Sequence, residues 1–228
     1  MSNTTHILQR NSLGLEAAKM LLDIKAVNFR HDEPYMLTSG WASPVYIDCR
    51  KLISYPIERQ KMMNLAVAML DDKIDFNNID VIAGGETAGI PYAAWISQST
   101  NKPMLYVRKK PKGFGRNAQI EGDFNKGAKV LLVEDLATDG ASKVSFVNTL
   151  RDSGAFVSDA FVVFFYGIFS GALKNLKKDG INLHYLATWH DVLHVAKEGA
   201  YFPSESIEGV QEFLNDPITW SNKNGGKT

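Results

Sequence analysis

The sequence holds a single cysteine, Cys49, in 228 residues. One thiol cannot close an internal disulfide, so no disulfide framework supports the fold and a reducing compartment is expected. Neither sign of charge is in excess: 25 Lys and Arg stand against 25 Asp and Glu, a formal net charge of zero. Bulk electrostatic attraction to nucleic acid or to an anionic membrane is excluded on that balance, and only local basic patches remain. Long apolar runs are lacking too. The longest nearly apolar stretch, Ala160 to Phe169, is far too short to span a bilayer. The N-terminus has no basic stretch followed by an apolar run, so no secretory signal is expected and the cytoplasm is the expected location. Metal-peptidase spacing is missing, because His190 and His194 lie four apart without the glutamate of H-E-x-x-H. So are the Gly-Lys-Ser/Thr of a Walker A loop and the G-x-G-x-x-G of dinucleotide folds.

What is present is a chain 45% hydrophobic and 22% charged, ample for one sizeable core with a small accessory part. From Pro56 onward strands and helices alternate. Strands are expected at 79–83, 104–107, 130–133, 156–165 and 183–187, and helices at 56–70, 90–97, 142–153, 170–178, 189–196 and 205–214. Such alternation predicts an α/β fold: an open, mostly parallel sheet with helices on both faces. The first 55 residues alternate less regularly. A helix from about Leu13 to Ile24, capped by Ser12, precedes two short strands around a Ser39–Pro44 turn, the second over 45–48. The expected organisation is a small N-terminal hood (1–55), a core (56–221) and a flexible polar tail (222–228).

Four stretches carry residues suited to chemistry. The run Val130-Leu-Leu-Val-Glu-Asp-Leu-Ala-Thr-Asp-Gly-Ala-Ser142 reads as a buried strand, the acid pair Glu134 and Asp135, and a small loop opening a helix. Backbone N–H groups and hydroxyls of Thr138, Asp139, Gly140, Ala141 and Ser142 at a helix start favour an anion, and the acids beside them suit a polyhydroxyl ring. A sugar phosphate has both features. An ordinary helix cap explains the same residues locally. The second stretch is Gly84-Gly85-Glu86-Thr87-Ala88-Gly89, whose glycines permit close backbone approach to a second phosphate or simply a tight turn. The third runs from Arg108 to Asp123. Its five cations Arg108, Lys109, Lys110, Lys112 and Arg116, interleaved with glycines, describe either a solvated loop or a lid that closes on a pyrophosphate. The fourth, residues 35–50, offers Ser39, Gly40, Ser43 and Arg50 for a polar pocket, or forms a plain hairpin.

Taken together these stretches are similar to a known family. Val130–Ser142 resembles the 5-phosphoribosyl-1-diphosphate (PRPP) motif of type I phosphoribosyltransferases: an apolar strand, two acids, then a Thr/Gly/Ser loop. Leu37-Thr-Ser-Gly with Ser43-Pro, Tyr46-Ile-Asp and Arg50 looks like the N-terminal signature of the orotate phosphoribosyltransferases, and Arg108-Lys-Lys-Pro-Lys112 is similar to their catalytic lid. The three motifs occur in order over about residues 35–145.

The resemblance implies the type I phosphoribosyltransferase fold and transfer of ribose 5-phosphate from PRPP to orotate, with Mg²⁺, in a homodimer whose subunits lend their lids to each other. It implies that Glu134 and Asp135 hold the ribose hydroxyls and any protein contact to Mg²⁺. Thr138, Asp139, Gly140, Ala141 and Ser142 would surround the 5′-phosphate, and Gly84, Gly85, Glu86 and Thr87 would form a pyrophosphate loop. Arg108, Lys109 and Lys112, with Asp135, would be catalytic, Lys112 foremost. Thr38, Ser39, Gly40, Arg50 and Thr138 would meet orotate. Three positions depart from the family pattern. Phe114 stands where the lid commonly has histidine, Thr38 where lysine often precedes Ser-Gly, and Tyr166-Gly-Ile168 lacks the arginine often found there. No general acid is expected at position 114, so cationic stabilisation must carry more of the step.

Overall fold

The structure, a computed structural model, describes residues 3–30, 32–37, 40–112, 119–169 and 171–227, with side chains from Ser12 onward. The chain divides into two compact units, one of residues Arg59–Leu186 and one of Met1–Glu58 with Ala187–Thr228.

The first of these is built on a six-stranded sheet. Strands β5 (Val81–Gly85), β6 (Met104–Val107), β7 (Ile120–Glu121), β8 (Lys129–Ala137), β9 (Phe156–Phe165) and β10 (Asn182–Thr188) stand in the order β10-β9-β8-β5-β6-β7. β5 is parallel to β6 and to β8, and β8 to β9, while β7 returns antiparallel on β6. The expected mostly parallel sheet is therefore present. Val130–Val133 are all buried, as a strand covered on both faces requires. Each such side chain contributes roughly 1.5–3 kcal/mol through burial. Of the helices α2 (Pro56–Lys73), α3 (Gly89–Thr100), α4 (Ala141–Asp152) and α5 (Ala172–Lys178), α3 packs on β5 and β8, and α4 on β8 and β9. α4 buries Lys143, Phe146, Val147 and Leu150, a stripe at helical spacing. The strand order brings together the loops that follow β5 and β8. β6 lies on one side of β5, and β8 on the other, so the chain reverses direction across the sheet between β5 and β8. A crevice opens at the carboxyl ends of two strands where their connections part in this way.

In the other unit, α1 (Asn3–Asp23) packs along α6 (Trp189–Glu198), with Ala17, Ala18, Leu21 and Trp189 buried. Thr188 and Asp191 form a capping box at the start of α6. Strand β1 (Val27–Phe29) pairs antiparallel with β4 (Val45–Ile47), and β2 (Tyr35–Met36) with β3 (Ala42–Ser43). The expected hairpin is thus a tighter one, and the expected strand at 45–48 pairs instead with a strand the sequence does not reveal. Helices α7 (Ser204–Asn215) and α8 (Pro217–Lys223) complete this unit, α7 against β1 and α8 against β3. These contacts group residues 187–227 with the N-terminal segment, a different division from the linear one expected. The C-terminal stretch is tied down as far as Lys227, whose N–H donates to the Gly40 carbonyl at 2.9 Å.

Candidate active site

The carboxyl ends of β5 and β8 lie side by side, Gly84 in register with Val133. Strand β8 runs on through the acid pair to Ala137, so Glu134 and Asp135 are the end of the strand rather than the start of its loop. The glycines after β5 are required by this packing. A Cβ on Gly85 would come 2.8 Å from Glu134 Oε1 and from the Phe146 ring, and one on Gly89 would run into the Val133 carbonyl. The backbones of the 84–89 loop and of β8 therefore approach as closely as backbones can.

The loop after β8 is shaped by two devices. Gly140 has φ +89°, and a Cβ there would also meet the Leu176 side chain at 2.8 Å. Asp139 Oδ1 accepts from the Ala141 N–H at 3.1 Å, while no side chain caps α4 from the N-cap position itself. The plain helix-cap explanation of this stretch thus accounts for Asp139 alone. The Ser142 hydroxyl takes no part in that cap and lies 3.4 Å from Glu134 Oε2.

Beneath the loop sits a buried ion pair. Lys143 Nζ lies 2.5 Å from Glu134 Oε2, with side-chain exposures of 6% and 9%. The same ammonium donates to the Leu136 carbonyl at 2.5 Å and to Ser142 Oγ at 3.2 Å. Burial pushes the Glu134 carboxyl above its ordinary range, and the charge and hydrogen bond of Lys143 pull it part of the way back. Asp135, half-buried, is the more exposed of the two acids.

The basic segment leaves β6 at Arg108 and returns through β7. The Arg108 N–H donates to the Gln119 carbonyl at 2.8 Å, and the Gln119 amide donates back to the Arg108 carbonyl at 2.9 Å, closing the base of the loop. Glu86 reaches across from the 84–89 loop and accepts from the Lys109 N–H at 2.8 Å. Lys112 Nζ pairs with Glu121 Oε1 at 2.5 Å, and Arg108 Nη1 lies 3.8 Å from the same oxygen. Arg108 Nε is buried with no hydrogen-bond partner among the described residues.

The structure therefore brings together Gly85 with Glu134, Glu134 with Ser142, Glu86 with Lys109, and Arg108 with Lys112. Among the expected base-binding residues, Thr38 and Ser39 lie outside the described residues, as does Phe114. Gly40 has φ +91° and spends its N–H on the Leu37 carbonyl, and Arg50 Nε pairs with Asp48 Oδ1 at 2.8 Å. Sequence reasoning missed Lys143 and Glu121. A signal for Lys143 was there, a cation at the first position of an otherwise apolar i, i+3, i+4, i+7 stripe. Glu121 carries no comparable local signal.

No family model matches the chain. It is 54% identical over 209 residues, 92% of its own length and 90% of the other protein's, to the orotate phosphoribosyltransferase of Sinorhizobium fredii. Among solved structures it resembles the orotate phosphoribosyltransferase of Aeropyrum pernix, with a TM-score of 0.69 and 32% identity over 82% of this chain and 99% of that one. It also resembles UMP synthase of Leishmania donovani, with a TM-score of 0.76 and 30% identity over 89% of this chain, although it spans only 42% of that protein. On identity at this level over nine-tenths of its length, the chain belongs to the orotate phosphoribosyltransferase family.

Proposed function

We propose that the protein transfers the ribose 5-phosphate unit of PRPP to orotate, giving orotidine 5′-monophosphate and pyrophosphate in pyrimidine biosynthesis. The observation that carries this reading is the meeting of two loops at the β5/β8 strand ends, beside a segment that holds Arg108, Lys109 and Lys112 near one another. The amides and hydroxyls of Thr138–Ser142 take the 5′-phosphate, and Asp135 takes the ribose hydroxyls. Gly84–Thr87 takes the pyrophosphate, with Glu86 fixing the base of the lid through Lys109.

Breaking the C1′–oxygen bond builds positive charge on the ribose and negative charge on the departing pyrophosphate. Cations already in place at that moment lower the barrier more than they strengthen ground-state binding. Lys112 does this work, and to reach the pyrophosphate it must leave Glu121. The orphaned Arg108 Nε gains an acceptor when an anion arrives, which favours binding. Oxygen donors are the right chemistry for Mg²⁺, and the half-buried carboxylate of Asp135 at the strand end suits an ion held mostly by substrate oxygens and water. When bound, that ion would neutralise part of the pyrophosphate charge. No protein nucleophile is needed.

Orotate recognition rests on the resemblance of the segment 37–50, through Thr38, Ser39, Gly40 and Arg50, and Thr138 is assigned to it by the resemblance of the PRPP motif. A homodimer is supported by the exposed Ile53, Tyr55 and Ile57 in one short stretch, such as an interface would cover, and the sharing of lids rests on the resemblance. A cytoplasmic location is supported by the single buried thiol of Cys49, and no helix among the described residues is long and apolar enough to cross a membrane.

A coupled assay with PRPP, Mg²⁺ and a panel of bases tests the reaction. Orotidine monophosphate is the expected product. Turnover with another base and none with orotate would instead favour a sister transferase, and PRPP binding without turnover a regulatory module. For the shared lid, inactive Lys112→Ala and Asp135→Asn subunits should regain activity on mixing. No recovery in verified heterodimers would remove the shared site.

A further inference from the structure

We infer that Lys143 is a positioning residue that holds the Leu136–Ser142 loop in its phosphate-binding shape before any substrate arrives. The inference rests on the reading that this loop receives the 5′-phosphate of PRPP.

The geometry is that of a single clasp across a loop. The three acceptors of the Lys143 ammonium come from both ends of the excursion: Glu134 and the Leu136 carbonyl from the strand, and Ser142 from the first turn of the helix. Between these anchors lie Ala137 to Ala141, and with them most of the Thr138–Ser142 stretch that would cradle the phosphate. Lys143 itself is 5% exposed, so it is a support under the loop and not a surface cation free to meet the ligand. An ammonium is suited to this task because its three donors match three acceptors around one point.

Glu134 has a second set of neighbours. Its carboxylate fills the space a Cβ on Gly85 would need, and its backbone and side chain fill that beside Gly89. The clasp therefore connects the two loops expected to hold the two phosphate ends of PRPP. Ser142 Oγ lies 3.4 Å from Glu134 Oε2, so the first helical hydroxyl is oriented by the same pair. Glu134, engaged in this way and 7% exposed, is therefore part of the support.

A support that is the same before and after the chemical step should govern how well PRPP is held and leave turnover nearly alone. A merely structural ion pair should govern neither. Removing one partner of a buried pair strands the other charge, whereas removing both can be nearly neutral for stability. That difference separates the two roles.

The full-length protein and its Lys143→Met, Lys143→Met/Glu134→Gln and Ser142→Ala variants are compared by thermal melting and by steady-state kinetics in PRPP and orotate. Lys143→Met is expected to melt earlier and to raise KM for PRPP on the order of tenfold, with kcat and KM for orotate within about threefold. The double variant should recover the melting temperature yet keep the raised KM, because the Leu136 carbonyl and Ser142 remain untied. A double variant with wild-type KM for PRPP overturns the inference, whether or not Lys143→Met alone folds. The Ser142→Ala change probes the underlying reading separately. If it leaves KM for PRPP unchanged the loop does not hold the phosphate; if it raises KM while the double variant does not, only the role of Lys143 falls.

Discussion

The two halves of the candidate site are built in opposite ways. The loop after β8 is held from below by a buried ammonium with three acceptors, and its bend depends on a glycine at φ +89°. The segment after β6 is held by an ion pair whose partners are 35% and 25% exposed and by one hydrogen bond to Glu86. Exposed pairs of that kind contribute about 0–1 kcal/mol, so substrate can displace them. The difference suggests a division of labour. In the proposed reaction the fixed loop sets affinity for the sugar phosphate, while the weakly latched lid brings charge to the pyrophosphate only when the bond breaks.

The largest effect that could break this division is at the lid. Lys112→Ala should lower kcat by about 10²- to 10³-fold with little change in KM for PRPP, as for loss of one stabiliser of developing charge. Single-turnover rates at saturating PRPP measure it, and an equal loss in binding and turnover would place Lys112 with the fixed half. Next is the close approach of the two loops. Gly89→Ala should cost about 1–3 kcal/mol of stability, because the added methyl meets the Val133 carbonyl and nothing there can retreat. Chemical denaturation gives the value, and a wild-type midpoint would mean the packing of 84–89 on β8 is looser than described.

A third prediction concerns the scaffold away from both loops. Burial raises the Asp159 carboxyl, but hydrogen bonds from His184, Ser158 and Asn182 and the charge of His184 outweigh it, leaving it below the ordinary 3.8. The stability this contributes is present above 3.8 and is lost as pH falls through the lower folded value. Asp159→Asn should therefore be less stable at neutral pH by about 1–2 kcal/mol and should lose part of the acid-induced decline, with kinetics unchanged. Melting curves from neutral pH into the carboxylate range check this, and an unaltered acid limb would rule the cluster out as its source. The smallest effect is expected at the latch. Glu121→Gln frees Lys112 and should lower KM for PRPP by no more than about threefold, the gap closing as salt rises. Initial rates at low and high ionic strength suffice, and a salt-independent change would show that Glu121 does something other than hold the lid back.

Much of this was legible from residue order. The buried run Val130–Val133 and the stripe of α4 announce their periods directly, and the acids and small residues between them had to lie at a strand end. Shorter elements gave no such signal. β1 and β7 have three and two residues, too few for any alternation, and exist because β4 and β6 offer them partners. α8 is seven residues long, and its Asp216 cap and Pro217 sit where the sequence reads as the approach to a polar tail. Glu121 was missed because its meaning lies in Lys112, nine positions away, and becomes visible only once β7 folds back on β6. Lys143 was missed because a cation next to a proposed phosphate loop is easily taken for part of its exposed face, when here it belongs to the core beneath.

The contrast between fixed loop and latched lid is tested most directly by measuring kcat and KM for PRPP in Ser142→Ala and Lys112→Ala side by side. The expected result is a raised KM with nearly intact kcat in Ser142→Ala, and a collapsed kcat with nearly intact KM in Lys112→Ala. Parallel losses of both parameters in both variants would contradict the division.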